Sequence, residues 1–130
     1  MGSEMCIRDS PETVATAIRI GKPASGSKAL AARDDSNGLI SSVTDEQILD
    51  AQAFLAAKEG IFVEPASAAG VAGLLALKQS GDLPAGQRIV ITVTGNGLKD
   101  IDTALSRTEL STEAVEPSTD RVAALLGLHR

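Results

Sequence analysis

The sequence predicts an α/β layered domain built on a parallel sheet, on three observations. The run Arg88-Ile89-Val90-Ile91-Thr92-Val93-Thr94 is almost continuously apolar, the pattern of a strand covered on both faces. Helix and strand signals alternate along the middle of the chain, strand, helix, strand, helix, strand, with connections of the length that parallel crossovers need. The last strand delivers a hydroxyl, two glycines and a Lys-Asp pair in Val93-Thr94-Gly95-Asn96-Gly97-Leu98-Lys99-Asp100, and open parallel sheets bind ligands at such carboxyl ends.

Residues 1–10, MGSEMCIRDS, show neither the helical nor the strand period and read as a non-native leader outside the fold. Ser10-Pro11-Glu12 supplies an N-cap, a first-turn proline and an acid, which predicts a short helix from Pro11 to about Arg19, ended by Gly21. A turn at Pro23 to Gly26 precedes a second short helix, Ser27 to about Arg33, broken by Asp34-Asp35-Ser36-Asn37-Gly38. Leu39 to Val43 is a short strand candidate. Thr44-Asp45-Glu46-Gln47 fits a capping box, followed by a helix with Ile48, Ala51 and Leu55 on one face and Gly60 at its end.

Ile61-Phe62-Val63 is expected to be a brief buried strand. Glu64-Pro65 then turns into a helix from about Ala66 to Gln79, apolar almost all round and therefore expected to be deeply buried. A loop from Ser80 to Gln87 leads into the Arg88–Thr94 strand. After Asp100 the chain reads as polar and turn-rich until Ser118-Thr119-Asp120, which caps a terminal helix from Arg121 to about Leu128. The organisation is a leader at 1–10, part of one large domain at 11–115, and a carboxyl-terminal helix and tail at 116–130.

With 130 residues, 43% of them hydrophobic, the chain is long enough for one core and too short for two ordinary ones. A net charge of -5, 2% aromatic residues and no Trp or Tyr remove the cationic field and stacking surfaces that nucleic-acid binding uses. The apolar stretches fall short of membrane-spanning length, and Met1-Gly2 lacks the Ser or Thr at position six that myristoylation wants. A soluble, cytoplasmic protein is the expectation. Cys6 stands alone, so no internal disulfide is possible, and with His129 as the single histidine no metal cluster or Ser-His-Asp arrangement is expected.

Four residues are candidates for a site. Thr94 closes the buried strand, where a neutral hydroxyl can hydrogen-bond a ring nitrogen without protonating it; the alternative is a Thr that bonds a backbone carbonyl or caps the next turn. Gly95 opens Gly95-Asn96-Gly97, which lacks the third glycine of a dinucleotide fingerprint and reads as a tight turn needing positive φ. Glu64 lies at another strand's end, and Ser67 belongs to the small-residue helix start behind it. Both are pocket-wall candidates, although an acid there also meets a helix dipole favourably. Lys99 and Asp100 read as structural, a solvated pair or a helix start.

Taken together and in order, PETVATAIRIG (Pro11 to Gly21), ALAARDDS (Ala29 to Ser36), GIFVEPASAAG (Gly60 to Gly70) and VTGNGLKD resemble the threonine synthases. These are pyridoxal-phosphate enzymes of the tryptophan synthase β-like fold, fold type II, with a three-layer α/β domain. The resemblance runs from Pro11 to Leu128 and covers what looks like the carboxyl-terminal third of such an enzyme. It implies conversion of O-phosphohomoserine and water to threonine and phosphate, a homodimeric parent, and pyridoxal 5'-phosphate as cofactor. It also implies that Thr94 meets the pyridine nitrogen, that Gly95 shapes the turn beneath the ring, and that the Glu64 to Ala69 segment forms a wall near it. The sequence departs from the family at Gly26, at Asn37-Gly38 and at Ile101. The family's Schiff-base lysine and glycine-rich phosphate loop lie upstream of this region, so the chain alone is expected to be inactive. A threonine or serine dehydratase of the same fold is the alternative within that resemblance, and a non-catalytic ligand-binding α/β domain the alternative outside it.

Overall fold

The computed structural model describes residues 12–107 and 114–128. Two helices make its centre, α2 (Asp45–Phe54) and α3 (Pro65–Ser80), preceded by α1 (Gly26–Asp35) and followed by α4 (Ile101–Leu105) and α5 (Thr119–Leu125). The buried apolar cluster is Ala15, Ile48, Ala51, Leu55, Val63, Ala68, Val71 and Ala72. Half of it is alanine, which lets α2 and α3 approach closely but leaves little large apolar area in the core.

Local chemistry explains the helices. Thr44 Oγ1 accepts from Gln47 N–H at 3.2 Å while Gln47 Oε1 accepts from Thr44 N–H at 2.8 Å, the reciprocal capping box expected from the sequence. Ile48, Ala51 and Leu55 share the buried face as the helical period requires. The last turn of this helix widens into a π-turn, Leu55–Glu59, and Gly60 ends it at φ 65°, a left-handed conformation that costs glycine nothing. Pro65 at the first position starts α3, and Gly81 at φ 82° stops it. Ser118 caps α5 by accepting from Arg121 N–H at 3.2 Å, as predicted.

Several expectations are corrected. The predicted helix at 11–19 shrinks to a 3-10 turn, Thr16–Ile18, with Pro11 outside the described residues. Tertiary bonding overrides the local signal: Thr13 Oγ1 donates to Asp45 Oδ1 at 2.5 Å and Val14 N–H donates to Asp45 Oδ2 at 3.0 Å, which ties this segment to the start of α2. The Arg19 guanidinium folds back to donate to the Thr13 carbonyl. The second short helix runs further than expected, through Asp35, and Asn37 then takes φ 51°. α3 is not buried all round; Pro65, Ser67, Ala68, Val71 and Ala72 are buried, whereas Gly70 is exposed and Leu74 to Leu77 are half-buried. The polar stretch after Asp100 contains α4, and its start at Gly97–Asp100 is a 3-10 turn. Residues 1–10, including Cys6, and His129 lie outside the described residues.

The expected sheet does not form among the described residues. Leu39 to Val43 and Arg88 to Thr94 carry no strand ladder, and Leu39 is 71% and Val90 88% exposed. Ile61 to Val63 is likewise not a buried strand, since Ile61 and Phe62 are exposed and Val63 makes a single antiparallel bridge to Asn96. The physical reason is pairing: a parallel strand needs neighbours on its edges, and these segments find none here to take up their backbone groups. Around the one bridge, Gly97 N–H donates to Phe62 O at 3.1 Å and Glu64 N–H donates to Gly95 O at 3.0 Å. Val63 sits between these rungs, so its own carbonyl faces the other way. There the side chain of Gln52, 5% exposed on α2, donates to it at 2.7 Å.

Two outcomes follow for the full-length protein. Gln52→Leu removes the donor and leaves the Val63 carbonyl buried and unpaired, which costs about 1–3 kcal/mol of stability; a thermal melt identical to the parent's contradicts this. The Thr13 hydroxyl, then the Val14 amide and the Arg19 charge, hold the Asp45 carboxyl below its usual value despite some desolvation. A depressed carboxylate contributes stability above the unfolded value of about 4 and loses it as pH falls through the folded value. The melting difference between parent and Asp45→Asn is therefore expected to be present at pH 6 and to vanish towards pH 2; a constant difference contradicts it.

Candidate functional site

The site grows from the meeting of the α3 start with residues 94–97. Ser67 lies in the first turn of α3, is 7% exposed, and its Oγ accepts from Gly95 N–H at 2.7 Å. Thr94 Oγ1 lies 3.5 Å from the same Ser67 oxygen, and Thr94 is itself exposed. Glu64 closes the arrangement through its backbone bond to Gly95 O. Thus three of the four predicted site residues, Glu64, Ser67 and Gly95, are directly bonded to one another, and the fourth, Thr94, stands at hydroxyl distance from Ser67.

The glycines serve close approach. Neither Gly95 nor Gly97 has positive φ, which corrects the tight-turn reading. A Cβ built on Gly95 would run into the Glu64 carboxylate, and one on Gly97 would lie 2.5 Å from the Phe62 ring. A side chain at 95 or 97 would have to displace that of Glu64 or Phe62, which lie close to the opposing backbone across the bridge. Asn96 between them caps the next turn, its Oδ1 accepting from Leu98 N–H at 2.9 Å.

Among the described residues the recorded hydrogen-bond neighbour of the Thr94 hydroxyl is Ser67. Two further groups escaped the sequence reasoning. Gln52 supports the segment from behind, and its signal was a polar residue beside Ala51 on the face that carries Ile48 and Leu55. Asp100 Oδ2 is buried without a hydrogen-bond partner among the described residues; it stands at the junction of the Gly97–Asp100 turn with α4, which fits the helix-start half of the sequence reading and not the solvated-pair half. Among the described residues no group of His, Cys, Asp and Glu could hold a metal ion, and no helix is long and apolar enough to cross a membrane.

A cavity of about 1250 Å³ lies elsewhere, between the 39–43 segment, α3 and the 89–91 segment, with Val43, Leu74, Leu77, Ile89 and Ile91 in its wall. Glu64, Ser67, Thr94 and Gly95 do not line it. Its lining is mostly apolar, with Thr13, Ser41, Ser42, Thr44, Asp45 and Ser80 also reaching it; the hydrogen-bonded cluster of candidate residues lies at the Ser67–Thr94 edge.

The sequence profile of the pyridoxal-phosphate dependent enzymes matches residues 2–95. A threonine synthase of Synechocystis sp. is 52% identical over 118 residues, 90% of this chain and 30% of that protein. The threonine synthase of Halalkalibacterium halodurans is 50% identical over 113 residues, 87% of this chain and 32% of that protein. That of Methanocaldococcus jannaschii is 54% identical over 100 residues, 77% and 25% respectively. The chain thus spans about a third or less of the length of these curated relatives.

The residues present suit one end of such a cofactor. A pyridine ring nitrogen accepts a hydrogen bond, and the exposed Thr94 hydroxyl beside Gly95 can donate one without carrying charge. A match over more than half the chain, with that edge at its end, places the chain in the pyridoxal-phosphate dependent enzyme family, whose cofactor is pyridoxal phosphate.

Proposed function

We propose that this chain forms one wall of the cofactor site of a threonine synthase, an enzyme that converts O-phosphohomoserine and water to threonine and phosphate. The observation that carries the reading is the Ser67–Gly95–Thr94 arrangement, which presents a neutral hydroxyl at the end of the 88–94 segment. The names of the relatives support the substrate and reaction, since threonine synthases match across most of this chain.

Pyridoxal phosphate, when bound, supplies an electron sink that stabilises negative charge on the substrate's carbon skeleton. The chain's own part is to hold the ring. Thr94 Oγ1 would donate to the ring nitrogen and, being neutral, would leave that nitrogen largely unprotonated. Gly95, without a side chain, would let the ring approach the backbone closely. Glu64 and Ser67 fix the height of that backbone through the Gly95 carbonyl and amide, and no chemical step is assigned to Glu64.

The lysine that holds the cofactor and the phosphate-binding loop come from other parts of the enzyme, so residues 1–130 by themselves do not turn over. The same reading accounts for the unpaired segments. Leu39–Val43 and Arg88–Thr94 are strands of a parallel, three-layer sheet of the tryptophan synthase β-like fold, whose missing neighbours belong to the remainder of the enzyme and fill the apolar gap beside α3. The division into a leader at 1–10, a part of the large domain at 11–115 and a tail at 116–130 belongs to this proposal, as do a cytoplasmic location and a homodimeric parent.

In the full-length enzyme Thr94→Ala is expected to weaken pyridoxal-phosphate binding roughly five-fold or more, the worth of one hydrogen bond, and to move the visible absorption of the bound cofactor. Thr94→Ser is expected to restore both. Phosphate release from O-phosphohomoserine reads the reaction, and formation of an oxo acid and ammonia from serine or threonine instead identifies a dehydratase. Unchanged cofactor affinity, absorption and turnover in Thr94→Ala overturn the assignment.

A further inference from the structure

We infer that Ser67 is a positioning residue that sets the direction of the Thr94 hydrogen bond, so that the Thr94 hydroxyl donates into the cofactor pocket. The inference rests on the proposed role of Thr94 and adds to it a cause for the donor state.

The argument is one of proton inventory. A backbone N–H can only donate, so the 2.7 Å bond from Gly95 obliges Ser67 Oγ to accept. The serine oxygen then keeps one hydrogen of its own. Its side-chain neighbour is Thr94 Oγ1, 3.5 Å away, a pair in which either oxygen could donate; we assign the donor role to Ser67. Glu64 O already receives the amides of Ser67 and Ala68, and Val63 O, which takes the Gln52 amide on one lone pair, has no recorded bond from Ser67. With Ser67 donating to it, the Thr94 oxygen has its own hydrogen left for a ligand. With that assignment the polarity runs in one sense, from the Gly95 amide through the Ser67 hydroxyl to the Thr94 hydroxyl and outward.

Burial makes this ordering matter. Ser67 is 7% exposed and Gly95 is buried, so water does not freely replace either partner. Chains of hydroxyls aligned in one sense also polarise one another, which makes the last member a better donor. A ring nitrogen meeting such a donor is held as an acceptor, hence without its proton. Ser67 does not touch the ring in this scheme; it acts through Thr94.

The test uses the full-length holoenzyme with pyridoxal phosphate as the probe. Ser67→Cys is nearly isosteric but a weak donor and weak acceptor; Ser67→Ala removes both functions, and Ser67→Thr retains them. In the Cys variant, and in Ala where it folds, pyridoxal-phosphate affinity is expected to fall roughly three- to ten-fold. The pH at which the bound cofactor's absorption changes is expected to rise by about half a unit or more, because the freed Thr94 hydroxyl can turn to accept from a protonated ring. Ser67→Thr is expected to keep the parental pH profile. A Cys variant with parental affinity and pH profile overturns the inference, as does one that loses thermal stability while its pH profile stays in place, since that is the signature of packing alone. Thr94→Ala run beside it separates the two levels: if it too is without effect, the assignment of Thr94 fails; if it alone has an effect, only the role given to Ser67 fails.

Discussion

The amide of Gly95 donates to the hydroxyl of Ser67 at 2.7 Å, at a position where a side chain would meet that of Glu64. This contact fixes the start of α3 against residues 94–97, and the remaining features of the site depend on it. The antiparallel rungs at Phe62–Gly97 and Glu64–Gly95 set the spacing, and Gln52 holds the far side of the same segment from α2. Removing any one leaves a strong backbone donor or acceptor in a buried place without its partner, which is costlier than the bond itself is favourable. That is why a chain with an alanine-rich core can still hold a site to within hydrogen-bond tolerance.

The same constraint explains an apparent mismatch between size and chemistry. The large cavity beside α3 is mostly apolar and ends short of Thr94, whereas the site residues occupy a shallow edge. Under the proposed function both have one origin. The sheet that would cover the Arg88–Thr94 segment and fill the gap is contributed by other parts of the enzyme, and the site edge becomes a pocket when that sheet is complete. Exposed Val90 and Leu39 are then interior residues seen without their neighbours.

Features written in short-range chemistry were legible in the sequence. The Thr44-Gln47 capping box, the Gly60 stop, the Pro65 start and the Ser118 cap each depend on a few adjacent residues, and each is present. The candidate residues were picked out for a different reason: Thr94, Gly95, Glu64 and Ser67 stood out through the motifs around them, and the structure brings them together, while their role belongs to the proposal. What failed was anything decided by distant partners. The 11–19 helix gave way to the Thr13–Asp45 bond, thirty-two residues apart in sequence, the strands lacked neighbours, and the glycines proved to serve side-chain approach across the bridge where the sequence suggested turn geometry. Gln52 could be seen as a polar residue on an apolar face, but its carbonyl partner on a crossing segment could not.

The central claim is that the Gly95 amide is locked onto Ser67, and amide hydrogen exchange of the full-length enzyme tests it most directly. If the lock exists, the Gly95 amide exchanges at least about a hundred times more slowly than in an unstructured peptide, in the protected class of amides bonded within a folded unit. Leu98, whose amide bonds only to the exposed Asn96 side chain, is expected to exchange faster. A Gly95 amide that exchanges at the unstructured rate contradicts the account, because Thr94 would then have no fixed support from which to meet a ring nitrogen.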